Sequence, residues 1–195
     1  MTMLPLPRPV VDAQAFSEAA AHLAGAVAVV AWGGARPRGM LVHSVGVLSA
    51  EPARILFALD KEQTGHDALL LEQECGVSLL GGGDEAEAEG FARQDGGRDR
   101  FQADRWLVRA DAPPQFLGSL AHFAGFIDRK IDAGSHSLFV VRVNVAAVRR
   151  RTPLVYFDHA FHPLHPASID APRQGSPCDP GLAAPTSGRL SDAAP

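Results

Sequence analysis

Three histidines recur at every third position near the end of the folding part of this 195-residue chain: His159, His162 and His165. Imidazole is a common zinc ligand, and a helix would set two such side chains one turn apart on one face. Pro163 and Pro166 forbid a helix here, and on a strand a spacing of three sends successive side chains to opposite faces. The three therefore read as loop histidines. Gly81-Gly82-Gly83-Asp84-Glu85-Ala86 matches on paper the glycine-rich turn that offers amides to a pyrophosphate. Asp84, Glu85 and Glu87 would put negative charge where the phosphate must lie, and no parallel strand–helix–strand pattern surrounds the run. A dinucleotide fingerprint is not the reading of this segment.

A third stretch has better chemistry. Between Asp60 and His66, Lys61 offers a cation and Thr64 a hydroxyl and an amide, a set suited to a phosphate; the same residues also suit a polar turn that caps a following helix. His136 lies at the mouth of a long hairpin, where an imidazole can hold a substrate or relay a proton near neutral pH, or simply close the turn. No nucleophile elbow or paired-cysteine motif is present.

The elements that would position these residues follow from hydrophobic period and punctuation. Asp12 caps a helix over 11–24 whose Phe16, Ala19, Ala20 and Leu23 share a face. Residues 26–32 form an apolar, valine-rich run that ends at Gly33-Gly34 and predicts a buried strand. Strands over 39–48 and 54–59 follow, joined by the turn Ser49-Ala50-Glu51-Pro52; connections this short predict antiparallel pairing. A short helix over 68–71, a strand over 77–80 and a helix from Asp84 to about Gln94 come next, the last opened by Asp84-x-x-Glu87 as a capping box. Residues 94–106 read as a polar loop. Residues 118–131 and 137–148 form a long hairpin about Asp132-Ala133-Gly134-Ser135, and strands over 154–157 and near Phe161 finish the sheet.

The predicted organisation is an irregular arm over 1–10, one domain over 11–164 and a tail over 165–195. The last 33 residues hold seven prolines and no aromatic residue, too little apolar surface to offset the entropy of ordering, so a disordered tail is expected. A net charge of −4 gives no field for a phosphate backbone, and Arg149-Arg150-Arg151 is too short to supply one, so no nucleic-acid partner is expected. No apolar run reaches the ~20 residues of a membrane span, and the three prolines within residues 1–10 do not suit a secretory leader. Cys75 and Cys178 stand in unlike contexts, which argues against a disulfide and for the cytoplasm.

Several separated pieces resemble one family. Gly25-Ala26-Val27-Ala28-Val29-Val30 resembles the opening strand of flavin reductase-like domains, and Gly39-Met40 the start of their second strand. Ser49-Ala50-Glu51-Pro52, Gly76-Val77-Ser78-Leu79-Leu80, Phe91-Ala92, Asp99-Arg100-Phe101 with Trp106, Ala133-Gly134-Ser135-His136-Ser137-Leu138-Phe139 and Leu154-Val155-Tyr156-Phe157 follow in the family's order and spacing, covering about 16–164. The resemblance implies a fold that is mainly β with a few peripheral helices, an antiparallel FMN-binding split β-barrel, working as a homodimer with the flavin in a cleft between subunits. It implies an NAD(P)H:flavin oxidoreductase that uses FMN, with NADH or NADPH as reductant, and supplies reduced flavin to a partner such as a flavin-dependent monooxygenase. Carried over by position, the flavin contacts are Leu41, Val42, His43 and Ser44 on the second strand and Asp60, Lys61, Thr64 and His66 after the third, with His136 near the reacting rings. Leu41, His43 and Gly46 stand where the family uses hydroxyl residues, and Glu62-Gln63 where serines are common. These departures leave a second reading in view, a non-catalytic module of the same fold that holds FMN, a flavin-like ligand or haem.

Overall fold

A strand buried on both faces needs an unbroken apolar run, and β2 (Ala28–Trp32) has one: every residue from Val27 to Trp32 is buried. In the computed structural model, which describes residues 11–93 and 100–164, β2 lies second in a seven-stranded antiparallel sheet. The order is β3 (Arg38–Val42), β2, β6 (Glu74–Leu79), β9 (Ala121–Ala133), β10 (His136–Val148), β5 (Ala53–Asp60) and β4 (Gly46–Ala50). β3 and β4 occupy opposite edges although only His43, Ser44 and Val45 separate them. Three residues span roughly 10–14 Å, whereas seven flat strands would hold their edges about 29 Å apart. The sheet must therefore roll until its edges approach. Ser44 clips them: its Oγ accepts from the Ala58 N–H (2.9 Å) and donates to the Ala58 carbonyl (3.1 Å) on β5.

One face of every major strand fills the roll. Ala28, Val30 and Trp32 meet Val42, Phe57, Val77, Phe139 and Val141, and α2 (His66–Leu71) closes the packing with Leu69. On the outer face of β2 and β3, Val27, Val29, Ala31 and Leu41 are covered by Leu80, by Phe91 of α3 (Glu85–Ala92), by Trp106 and Phe116 of the hairpin β7 (Trp106–Arg109) and β8 (Ala112–Phe116), and by Leu154.

The long hairpin forms as the turn residues predict, with β9 and β10 13 residues each and Gly134 at a φ of +77°. Other expectations are corrected. The strand read over 39–48 is two strands at opposite edges, so β3 and β4 do not pair as successive neighbours. The closing strands do not finish that sheet; β11 (Leu154–Phe157) and β12 (Ala160–Pro163) build a second one with β1 (Gly25–Ala26). Asp12 caps α1 (Ala13–Ala21) by accepting from the Ala15 N–H, but Phe16 and Leu23 are exposed rather than packed. The capping box at Asp84 is not made. Its carboxylate instead takes Arg151 at 2.8 and 3.2 Å and the Gly81 N–H at 2.9 Å, while Glu87 takes the Trp106 indole N–H at 2.6 Å and Arg105 at 2.9 Å. Cys75 lies buried inside β6, where loss of solvation pushes its thiol up to about 12. His159 sits in the turn between β11 and β12, and no cluster of metal-ligating side chains forms among the described residues. The arm over 1–10, the tail over 165–195 (with His165 and Cys178) and residues 94–99 lie outside the described residues.

Candidate functional site

Three segments meet where the roll closes. Ser44, in the β3–β4 crossing, is bonded to Ala58; Ala58 is the register partner of Leu138; and Asp60, two residues on, is the partner of His136. The Lys61 N–H donates to the Ser135 carbonyl at 3.0 Å, and the Lys61 ammonium reaches the Asp132 carboxylate at 2.8 Å. The crossing, the loop after β5 and the hairpin turn thus form one continuous edge. Hydrogen bonds from the Lys61 ammonium and the Gly134 N–H, with the lysine's charge, hold the Asp132 carboxyl below the usual carboxylate range.

The expected residues divide among three roles. Leu41 and Val42 turn inward, Leu41 to the outer cluster and Val42 to the interior of the roll. Ser44 is the edge clip. Asp60 shapes the loop, its Oδ1 accepting the Glu62 N–H at 2.9 Å. His66 is buried: its Nε2 lies 2.9 Å from Ser137 Oγ and its Nδ1 2.9 Å from Asp67 Oδ1, so its ring ties α2 to β10. His43, Lys61, Thr64 and His136 present side chains at the surface of the edge. His43 stacks on Tyr156 with ring centroids 4.2 Å apart and planes 13° from parallel, and loss of solvation lowers its pKa. His136 is exposed, with Ser135 Oγ 2.9 Å from its Nδ1.

Sequence reasoning missed Tyr156 and the Ser137 hydroxyl, which reach the site only through strand pairing. It also missed the buried Ser78–His122 pair (3.0 Å), where loss of solvation pushes the imidazole down to about 4. The β6–β9 register alone makes Ser78 and His122 partners.

Residues 20–165 match the flavin reductase-like domain. The chain belongs to that family. An NADH-dependent FAD reductase of Streptomyces globisporus is 32% identical over 123 residues, 62% of this chain and 68% of that protein. The FMN reductase (NADH) RutF of Klebsiella pneumoniae subsp. pneumoniae is 27% identical over 156 residues, 78% of this chain and 94% of that protein. Among solved structures, BorF, the flavin reductase component of a bacterial two-component tryptophan halogenase, superposes with a TM-score of 0.72 at 30% identity, covering 78% of this chain and 98% of BorF. The NADH:FAD oxidoreductase of Streptomyces globisporus in complex with NAD and FAD fragments gives a TM-score of 0.73 at 26% identity, covering 83% and 99%.

The closing edge of this flavin reductase-like domain has the donors a flavin phosphate requires. The Thr64 and Gly65 N–H groups make no hydrogen bond among the described residues, Thr64 adds its hydroxyl, and Lys61 of the same loop holds its ammonium on Asp132. Gly65 packs closely here: a Cβ would sit 2.6 Å from Met40 Sδ and 3.0 Å from the Trp32 ring, so a larger residue would have to displace the Met40 side chain. Val47, 78% exposed, and Leu48 extend an apolar strip from the crossing, suited to the face of a planar ring. Glu62 is the one charge of opposing sign on this loop beyond the turn-forming Asp60. The residues fit the group.

Proposed function

We propose that this chain is an NADH:flavin oxidoreductase that binds FMN at the edge formed by the β3–β4 crossing, the loop after β5 and the β9–β10 turn. The observation that carries this reading is the convergence of His43, Lys61, Thr64 and His136 on one edge of a domain whose relatives are flavin reductases. When bound, the flavin supplies the redox chemistry, accepting a hydride from the nicotinamide. The chain's own work is placement. Lys61, Thr64 and the two unpaired amides fix the phosphate end; His43 offers a ring nitrogen to the polar rim of the flavin; His136 stands at the open side, where the nicotinamide must approach. The ionisable groups at this edge include Lys61, paired with Asp132, and the imidazoles of His43 and His136; a transfer between two flat rings asks them for alignment above all.

A free product suits delivery to a second enzyme, and the BorF relative is one half of such a pair; the partner we propose is a flavin-dependent oxygenase or halogenase. Phe16, Leu23 and Val148, at 62%, 77% and 83% exposure, give the chain apolar surface for a homodimer, whose second subunit would wall the cleft. No described helix is long and apolar enough to cross a membrane, and we place the enzyme in the cytoplasm. The test is direct. Purified protein with NADH or NADPH and free FMN or FAD should oxidise the nicotinamide, followed by its absorbance. No rate above the protein-free control with either nucleotide would leave the binding-module reading, and the absorption spectrum would then name its ligand.

A further inference from the structure

Nothing in hydride transfer calls for Tyr156, yet the site's least constrained side chain leans on it. His43 lies nearly flat against the phenol ring, 4.2 Å between centroids, and Phe161 flanks the pair at 6.3 Å from His43 and 5.5 Å from Tyr156. Behind the stack, Gly25 is the register partner of Tyr156, and a Cβ on Gly25 would stand 2.6 Å from the His43 carbonyl oxygen. The backbone of His43 is thus wedged against β1 and its ring against β11. Neither ring nitrogen of His43 makes a hydrogen bond among the described residues, so the ring is held by its face while its polar edge stays free. An imidazole on two rotatable bonds needs such a shelf; the short hydroxyl side chain that the family resemblance leads one to expect at position 43 would not.

We propose that Tyr156 is a positioning residue for the flavin site: it fixes the plane of the His43 imidazole so that the free nitrogen edge meets a polar atom of the flavin ring. The small sheet β1–β11–β12 is then part of the binding site and not a cover for the outer core. The inference rests on the preceding reading that the flavin lies against the β3–β4 crossing.

Three variants test it: Tyr156→Phe, which keeps the stack, Tyr156→Leu, which removes it, and His43→Ala. Each is followed by FMN titration through flavin fluorescence, by thermal melting, and by NMR titration of the His43 imidazole in the ligand-free protein. Tyr156→Phe should behave as wild type in all three. Tyr156→Leu should raise the His43 titration midpoint toward that of an ordinary histidine, weaken FMN about tenfold and move melting by only a few degrees. Combining Tyr156→Leu with His43→Ala should weaken FMN no further than His43→Ala alone, because the tyrosine acts through the imidazole. An unmoved His43 midpoint in Tyr156→Leu overturns the positioning role whatever FMN does, as does an additive double variant. A shifted midpoint with full FMN affinity in His43→Ala overturns the placement of the flavin itself, and the proposal with it.

Discussion

Leu41→Thr restores the hydroxyl residue that the family resemblance leads one to expect at this position, and resemblance alone predicts tighter FMN binding. The structure predicts the reverse outcome for a different property. Leu41 is 8% exposed and packs among Val27, Val29, Ala31, Phe91 and Trp106. Replacing it with threonine removes about two buried methyl groups, worth about 1.5 kcal/mol. It also puts a hydroxyl where no side chain can pair with it, since the Trp106 N–H is already given to Glu87 and the nearby strand carbonyls are in ladders. That adds about 1–3 kcal/mol, less a few tenths for the β-branched residue's preference for strands. The sum is about 3 kcal/mol, or a fall of about 6–12 °C in melting temperature for a domain of this size. Leu41→Val, which only trims volume, should cost about 1 kcal/mol. Circular dichroism melting and flavin fluorescence titration on the same samples check both quantities, and the FMN dissociation constant should stay within about threefold. A threonine variant that melts with the wild type and binds FMN more tightly would put the side chain on the ligand and refute the packing described for β3.

Three further outcomes are expected. His136→Ala should slow flavin reduction by about three- to tenfold, the worth of one neutral hydrogen bond, with melting and FMN affinity unchanged, because its side-chain partner among the described residues is the exposed Ser135 hydroxyl; equal turnover would leave it a turn residue. Burial lowers the His122 pKa to about 4 in the folded protein against 6.5 for a histidine in water, so the unfolded chain takes a proton that the folded one refuses. Stability should therefore be full above about pH 6.5 and fall by about 3 kcal/mol as pH drops to about 4, in chemical denaturation at stepped pH, and His122→Gln should flatten that part of the profile. Asp84→Asn should cost about 2–3 kcal/mol by leaving Arg151 without its carboxylate inside a mostly buried network, and a melting temperature within one degree of wild type would show that the network adds nothing.

Local signals made the strands legible and tertiary bonds made the corners illegible. The apolar run to Trp32 could be nothing but a buried strand, and Asp132-Ala133-Gly134-Ser135 between two long alternating runs declared the hairpin. Between Met40 and Leu48, however, Gly46 is the one breaker residue in the sequence, and the chain turns at His43–Val45 because Ser44 finds Ala58, fourteen residues away. Asp84-x-x-Glu87 has the spacing of a capping box, and spacing cannot reveal that Arg151 and Trp106 will arrive to claim both carboxylates. The burial of His66 has a simpler source. This residue follows the Thr64 loop in sequence, but it also precedes Leu69 by three residues, and on α2 that places both on the inner face. The helical period was the available signal, and it outweighs adjacency to a loop.

The location of the site can also be argued from polar groups that the fold leaves unpaid, without reference to any relative. Ladder hydrogen bonding runs through the interior of the rolled sheet and stops where β3 faces β5, with Ser44 alone bridging the gap. Next to that gap the loop after β5 holds two unpaired amides, at Thr64 and Gly65, and a buried Gln63 Oε1 that no donor reaches. A buried acceptor without a partner costs about 1–3 kcal/mol. Unpaired groups gathered in one loop, beside a lysine and the His43 imidazole, support the proposed placement of a ligand there. The barrel interior lined by Phe57, Val77, Phe139 and Val141 adds one such group, the Trp32 indole N–H, and the Trp32 ring reaches toward the same loop at Gly65. These groups support the proposed site at the seam: the roll that builds the core also leaves an edge of donors open there.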